Sequence, residues 1–460
     1  MKANNSNRVI GSKEQEKNSN KDVFRKNNLR ENALTIVKES IKAVLPEEAV
    51  IKALKQKEFN SKGKIVVVAI GKAAWNMAKA TENVLGDIIY KGIVLTKYDH
   101  SMGPIDGFEI VESGHPVPDE NSVIGAEKVL KMVSGLNKED RVIFLISGGG
   151  SALFEKPMEG VTLEDISHIT NQLLGSGADI VEINTIRKRL SALKGGKFAT
   201  LCGEAKIFSI VLSDVIGDRL DSIASGPAYP DSSTTEEALE ILNKYNLKVE
   251  HHIKEIIKIE TPKTVDNCET VITGSGKALC EAAAASACRL GYEPMIITST
   301  LNCEAKEAGS FMASIAREIK TIDGKTFNGE TNRGKSSVSR YPFITPPCAV
   351  IAGGETVVRI IGSGKGGRNQ ELALSAALGI KGLKDVLLFS LGSDGTDGPT
   401  DAAGGIVDGT TAEKMKAAGI SPETYLNNND SYNALKATGD LIITGSTGTN
   451  VNDVVVLLCN

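Results

Sequence analysis

The strongest constraint on the fold is a repeated unit: a short, wholly apolar, β-branched run, a glycine, then a segment with helical spacing. Ile65–Ile70 is such a run, Gly71 follows it, and residues 73–85 carry apolar side chains at helical intervals. Ile93–Leu95, Phe108–Val111, Val142–Ile146 and Ile207–Leu212 are further runs, separated by helical stretches such as 163–174 and 180–193. A strand apolar at every position is buried on both faces. A parallel sheet covered by helices on both sides provides that burial. The pattern predicts a doubly wound, Rossmann-like α/β domain over residues 31–262, opened by a helix rich in Leu34, Val37, Ile41 and Val44.

The polar segment 251–263 ends in Thr261-Pro262 and reads as a linker. A smaller C-terminal α/β domain is expected over 263–460, with strands at 270–273, 294–298, 349–352, 357–361, 386–391 and 454–458. Residues 321–347 are polar, carry three prolines and read as an exposed insertion. Glycine-rich loops on both halves predict a ligand cleft between the domains.

Composition removes several classes of function. Lys+Arg 53 against Asp+Glu 57 gives a net charge of −4, and aromatics are 4%, so neither a basic footprint nor a stacking platform for nucleic acid exists. Seven scattered cysteines without C-x-x-C point to buried thiols in a reducing compartment. Residues 1–30 form a polar tail, expected to be disordered, with no apolar core of a secretory signal. Glu14, Glu16 and Asp22 count against a mitochondrial presequence. No apolar run is long enough to span a membrane, and the expected location is cytoplasmic.

Gly329–Ser336 satisfies the Walker pattern, but no buried strand precedes it and Tyr341-Pro342 follows, so it reads as a coincidence in the insertion. Gly362-Ser-Gly364-Lys-Gly366-Gly367 satisfies G-x-G-x-x-G between an expected strand and a helix. It could be a dinucleotide fingerprint, a tight turn, or a phosphate cradle beside Arg368, whose planar fork suits a phosphoryl or carboxylate group. Gly148, Gly149 and Gly150 free backbone amides for an anion-binding nest, with Ser147 and Ser151 alongside. G-x-S-x-G is absent, which counts against a serine hydrolase.

Lys72 lies at a strand end, where α/β sheets bind ligands. Asp214 and Asp218 follow the strand 207–212, and Asp394 and Asp397 follow 386–391. Carboxylates there suit a divalent metal or a base acting on a hydroxyl, although singly each is an ordinary turn residue. His115 stands in a rigid Pro-rich loop and fits a substrate contact or a structural hydrogen bond equally. Asn184 and Arg187-Lys188 face either the cleft or solvent.

In order along the chain, Gly71-Lys-Ala-Ala, Gly114-His-Pro-Val-Pro-Asp-Glu, Ile146-Ser-Gly-Gly-Gly-Ser-Ala, Glu182-Ile-Asn, Lys194-Gly-Gly and Leu212-Ser-Asp-Val-Ile-Gly-Asp form a specific set. Ser225-Gly-Pro, Gly353-Gly-Glu-Thr, Gly366-Gly-Arg-Asn-Gln-Glu, Ser393-Asp-Gly-Thr-Asp-Gly and Thr447-Gly-Thr-Asn complete it. The set resembles the type-2 glycerate kinase family, whose C-terminal part is the MOFRL domain. The resemblance implies ATP-dependent phosphorylation of D-glycerate, usually at the 2-hydroxyl, on a fold unrelated to P-loop kinases.

It assigns Lys72 and Arg368 to neutralising the transferred phosphoryl group from opposite domains. Asp214 and Asp394 would hold Mg²⁺ or accept the hydroxyl proton, and the two glycine loops would cradle ATP phosphates or the glycerate carboxylate. A homodimer is compatible with the resemblance. Members have also been labelled hydroxypyruvate reductases, so an NAD(P)-dependent reductase is the first alternative. A non-catalytic nucleotide-binding protein is the second.

Overall fold

The computed structural model describes residues 29–59, 62–215, 217, 219–324 and 345–460. The tail before residue 29, the Walker-like run and Asp218 lie outside the described residues.

The first sheet contains β1 (Ile65–Ile70), β2 (Ile89–Lys97), β3 (Phe108–Ser113), β4 (Arg141–Ile146), β5 (Lys206–Leu212) and β6 (Cys268–Gly274). Its order is β3-β2-β1-β4-β5-β6, and every neighbouring pair is parallel. Every residue of β1 is buried. Val66, Val68 and Ile70 enter one core, and Ile65, Val67 and Ala69 enter the other. That period of two on a strand apolar throughout is the two-sided burial expected from the sequence.

The chain moves from β1 to one side of the sheet, then returns to start β4 on the other. The loops after β1 and β4 therefore flank the point where the strand order reverses, the usual ligand crevice of open α/β sheets.

The second sheet contains β7 (Glu293–Leu301), β8 (Cys348–Gly354), β9 (Val386–Gly392), β10 (Gly404–Asp408), β11 (Leu441–Ile442) and β12 (Asp453–Cys459), in the order β11-β10-β9-β12-β8-β7. Only β7 and β8 pair in parallel; the other neighbours are antiparallel. The last strand of the chain, buried throughout, lies between β8 and β9. Two expectations are corrected here. Residues 357–361 form no strand beyond a single bridge from Val357 to Glu304, and Ile361 and Gly362 donate their amides to the Asn429 side chain. The sequence reading also omitted β10 and β11, which are short and begin beside Gly404-Gly405 or span two residues.

The division into halves also differs from a break at 262/263. β6 completes the first sheet, whereas the helix Leu29–Ala43 inserts Ala33, Ile36, Val37 and Ile41 into the core of the second. An amphipathic helix goes where its apolar stripe finds cover, whatever its place in the chain.

A helical lobe, built from 163–175, 180–190, 235–244 and 251–257 around Leu173, Ile186 and Ile253, stands beside the first sheet. Lys188 and Arg189 tie it down: Lys188 Nζ reaches Asp231 Oδ1 at 3.1 Å and Arg189 reaches Glu260 at 3.0 Å. Asp231 is fully buried, so Asp231→Ala leaves two buried cations short of a partner. The expected cost is about 3–5 kcal/mol, read as a lowered denaturation midpoint. A midpoint equal to the parent's would show that the cluster does not anchor the lobe.

Candidate active site

The first half of the site forms where β1, β4 and β5 end. Lys72 N donates to Gly148 O at 2.8 Å, stitching the two loops at the reversal point together. Ser147 locks the same junction, its hydroxyl accepting from Ala73 N at 3.1 Å and donating to Ile70 O at 3.2 Å. Gly148 lies so close to Asp214 that a Cβ would collide with Asp214 Oδ2, and at Gly149 (φ +87°) a Cβ would meet the His115 ring. Any side chain at 148 would displace the aspartate.

Burial raises the pKa of Asp214; the Lys72 cation opposes that rise and Glu355 adds to it. The His115 imidazole is held below its ordinary pKa by burial and by the cations Lys72 and Lys97. Ser151 Oγ lies 2.7 Å from Ser225 Oγ, which donates to Asn184 Oδ1 at 3.0 Å. Lys72, Gly148, Gly149, Gly150, Ser151 and Asp214 thus lie together past the C-terminal ends of β1, β4 and β5, with His115, Asn184 and Ser225 beside them. A cavity of about 640 Å³ lined by Asn184, Lys188, Asp221, Ser222 and Lys244 adjoins this network but contains neither Lys72 nor Asp214.

The second half forms where β8 and β9 end and β12 begins. Register places Asp453 opposite both Gly354 and Gly392. Asn452, at φ +69°, turns the chain into β12, and Ser393 holds that turn through Val451 N at 2.8 Å and Asn452 O at 3.0 Å. Arg368 engages Asp453 through both prongs of its fork, at 2.6 and 3.0 Å, and Glu355 at 3.3 Å. A Cβ on Gly392 would lie 3.3 Å from Asp394 Oδ1 and 3.4 Å from Asp453 Oδ1, so two carboxylates converge over that glycine.

Two sequence assignments change meaning. Arg368 is at the site, but its planar fork is held by Asp453 and is not open to a ligand. The amides of Asn369 and Gln370, where a phosphate would sit on this helix N-terminus, donate to Asp397 at 3.2 and 2.9 Å. Burial raises the Asp397 pKa to about 6. Gly364, Gly366 and Gly367 allow close packing against 428–431 and Asp397, instead of an open phosphate cradle. With no strand before them, the dinucleotide reading of this loop loses its structural basis.

The two halves meet. Glu355 of the second sheet contributes to the raised pKa of Asp214 in the first. A Cβ on Gly274, at the end of β6, would lie 3.5 Å from Val451, two residues before Asp453. Sequence reasoning missed Glu355 and Asp453 as site residues. Their signals were faint: an acid directly after Gly353-Gly354, and an acid directly before the final apolar run.

Known proteins resemble the chain along most of its length. Residues 32–258 match a family described only as a domain of unknown function, DUF4147, and residues 348–453 match the MOFRL family. The chain is 53% identical over 434 residues to the D-glycerate 2-kinase of Thermotoga maritima, covering 94% of this chain and 99% of that protein. It is 44% identical over 450 residues to the glycerate 2-kinase of Pyrococcus horikoshii, covering 94% and 97%. A protein of Agrobacterium vitis named a putative hydroxypyruvate reductase is 38% identical over 418 residues, covering 90% of each chain. The crystal structure of a Thermotoga maritima glycerate kinase superposes with a TM-score of 0.87, covering 94% of this chain and 99% of that one. With 53% of the aligned residues identical along nearly the full length of such a protein, the chain belongs to the glycerate kinase family.

Proposed function

We propose that the chain is an ATP-dependent kinase that phosphorylates D-glycerate at its 2-hydroxyl, giving 2-phosphoglycerate and ADP. The observation that carries the reading is the position of Asp214, between the Lys72 cation at the sheet's reversal point and the acidic cluster of the second sheet. Phosphoryl transfer asks a protein mainly to align two reactants and to neutralise charge on the transferring group. Lys72 supplies a mobile point charge there. Asp214, whose pKa burial raises, is suited to accept the hydroxyl proton as the oxygen attacks.

Asp394 and Asp453 fit Mg²⁺ of the kind that arrives with a nucleotide. Such an ion uses one or two protein carboxylates and completes its shell with phosphates and water. Their oxygens converge over Gly392, whereas the described residues contain no cluster of three or more His, Cys, Asp or Glu that would form a protein-only cage. The ion would shield charge on the nucleotide phosphates, with Arg368 fixing the Asp453 carboxylate beside it. Among the described residues, no helix is long and apolar enough to cross a membrane.

Glycerate-dependent ADP release separates this reading from the reductase. D-glycerate, ATP and Mg²⁺ are expected to yield ADP, and hydroxypyruvate with NADH or NADPH is expected to show no enzyme-dependent oxidation. Nicotinamide oxidation without ADP release would overturn the proposal.

A further inference from the structure

Arg187 is a half-buried cation that the reaction described above leaves unused. It lies on the helix Ile180–Leu190, one turn past Asn184, and its Nε has no acceptor among the described residues. Lys188 and Arg189, the next two residues, are both paired with carboxylates. Burial pulls the Arg187 pKa down, and the charge that opposes this is Glu155. Glu155 is already committed: Oε2 takes Lys194 Nζ at 2.5 Å and Oε1 takes Lys156 N at 3.0 Å. Arg187 and Lys194 thus face one carboxylate between them. Burial lowers Lys194 to about 8, which agrees with a pocket that holds more positive than negative charge. A half-buried guanidinium whose buried Nε finds no acceptor leaves the site short of an anion.

Its position says which anion. Asn184 connects through Ser225 to Ser151, at 3.0 and 2.7 Å. Asn184 and Arg187 lie a turn apart on one face of their helix, so the guanidinium stands one turn from the asparagine that ends this chain of hydroxyls. Ser151 belongs to the glycine loop whose Gly148 abuts Asp214. In glycerate the carboxylate is bonded to the carbon that carries the 2-hydroxyl, so a base acting on that hydroxyl requires the carboxylate site nearby. A planar guanidinium matches a carboxylate with two parallel hydrogen bonds.

We propose that Arg187, with the Ser151 and Ser225 hydroxyls, anchors the carboxylate of the acceptor substrate. This rests on the kinase reading for the identity of the ligand, not for the existence of an anion site.

The test uses the full-length protein and the variants Arg187→Met and Arg187→Lys. Glycerate KM should rise about 10- to 100-fold in Arg187→Met, the range for losing a charge-assisted contact, while ATP KM stays within about twofold. Arg187→Lys should recover part of the loss. Removing an unpaired, half-buried charge should leave the unliganded melting temperature unchanged or higher, and D-glycerate alone should stabilise the parent but not Arg187→Met. A rise confined to ATP KM would assign the site to a nucleotide phosphate and overturn the proposal. Unchanged KM values, a sharply lower melting temperature, or an equal glycerate shift in parent and variant would also overturn it. The binding measurement needs no turnover, so a parent stabilised by glycerate but inactive with ATP would count against the kinase reading alone.

Discussion

Asp214→Asn is expected to lower kcat by about two to four orders of magnitude, the range for losing a positioned general base. The fold should survive, because asparagine keeps the shape that Gly148 is cut back to admit. The pH profile should carry a second signature. Burial and Glu355 both raise the Asp214 pKa, so the acidic limb of kcat/KM should lie above the ordinary aspartate value of about 3.9. Glu355→Gln removes an anion that disfavours the ionised carboxylate. The acidic limb should then move to lower pH, and activity should persist further into acid. A limb that moves upward, or an Asp214→Asn variant within a few-fold of the parent, would remove Asp214 from the role of base.

Arg368→Lys is expected to cost about 10- to 100-fold in kcat, the range for loosening a residue that orients a carboxylate beside the metal. The reason lies in geometry, since the net charge is unchanged. Arginine holds both oxygens of the buried Asp453 and one of Glu355, and an ammonium cannot reproduce two parallel hydrogen bonds from one plane. Arg368→Ala should also destabilise, because it leaves the buried Asp453 carboxylate without its main counter-charge. Lysine should restore much of the stability and little of the activity. Equal recovery of both in a thermal melt and a turnover assay would mean that Arg368 serves packing alone. At Lys72, where a point charge suffices, Lys72→Arg should keep partial activity while Lys72→Ala falls by about 10³, the loss expected for a charge clamp on the transferring group.

The first sheet was legible up to β5 because both faces of its central strands are buried, whereas half-exposed β6 read as part of the other half. Positions such as Val66 and Val67 are apolar for different cores, and that writes an uninterrupted apolar run into the sequence. Lys72 and Gly148–Gly150 were legible because they end such runs. The second sheet hid more. Its order depends on the final strand inserting between β8 and β9, a long-range pairing that no local pattern encodes. Asp453 is consequently a terminal acid in the sequence and the centre of the site in the fold. Arg368 was identified by residue type and position, yet its partner is a carboxylate of this chain. The segment 357–361 shows the opposite failure: β-branched residues favour a strand, but no neighbouring strand pairs there, and Ile360 and Ile361 remain exposed.

The most direct measurement is phosphorus NMR of the product formed from D-glycerate, ATP and Mg²⁺, followed to completion. The account predicts one equivalent of ADP and a phosphate monoester whose proton coupling places it on the single-proton C2 carbon. A monoester coupled to the two C3 protons would contradict transfer at the 2-hydroxyl, and ADP with free inorganic phosphate would contradict glycerate as the acceptor.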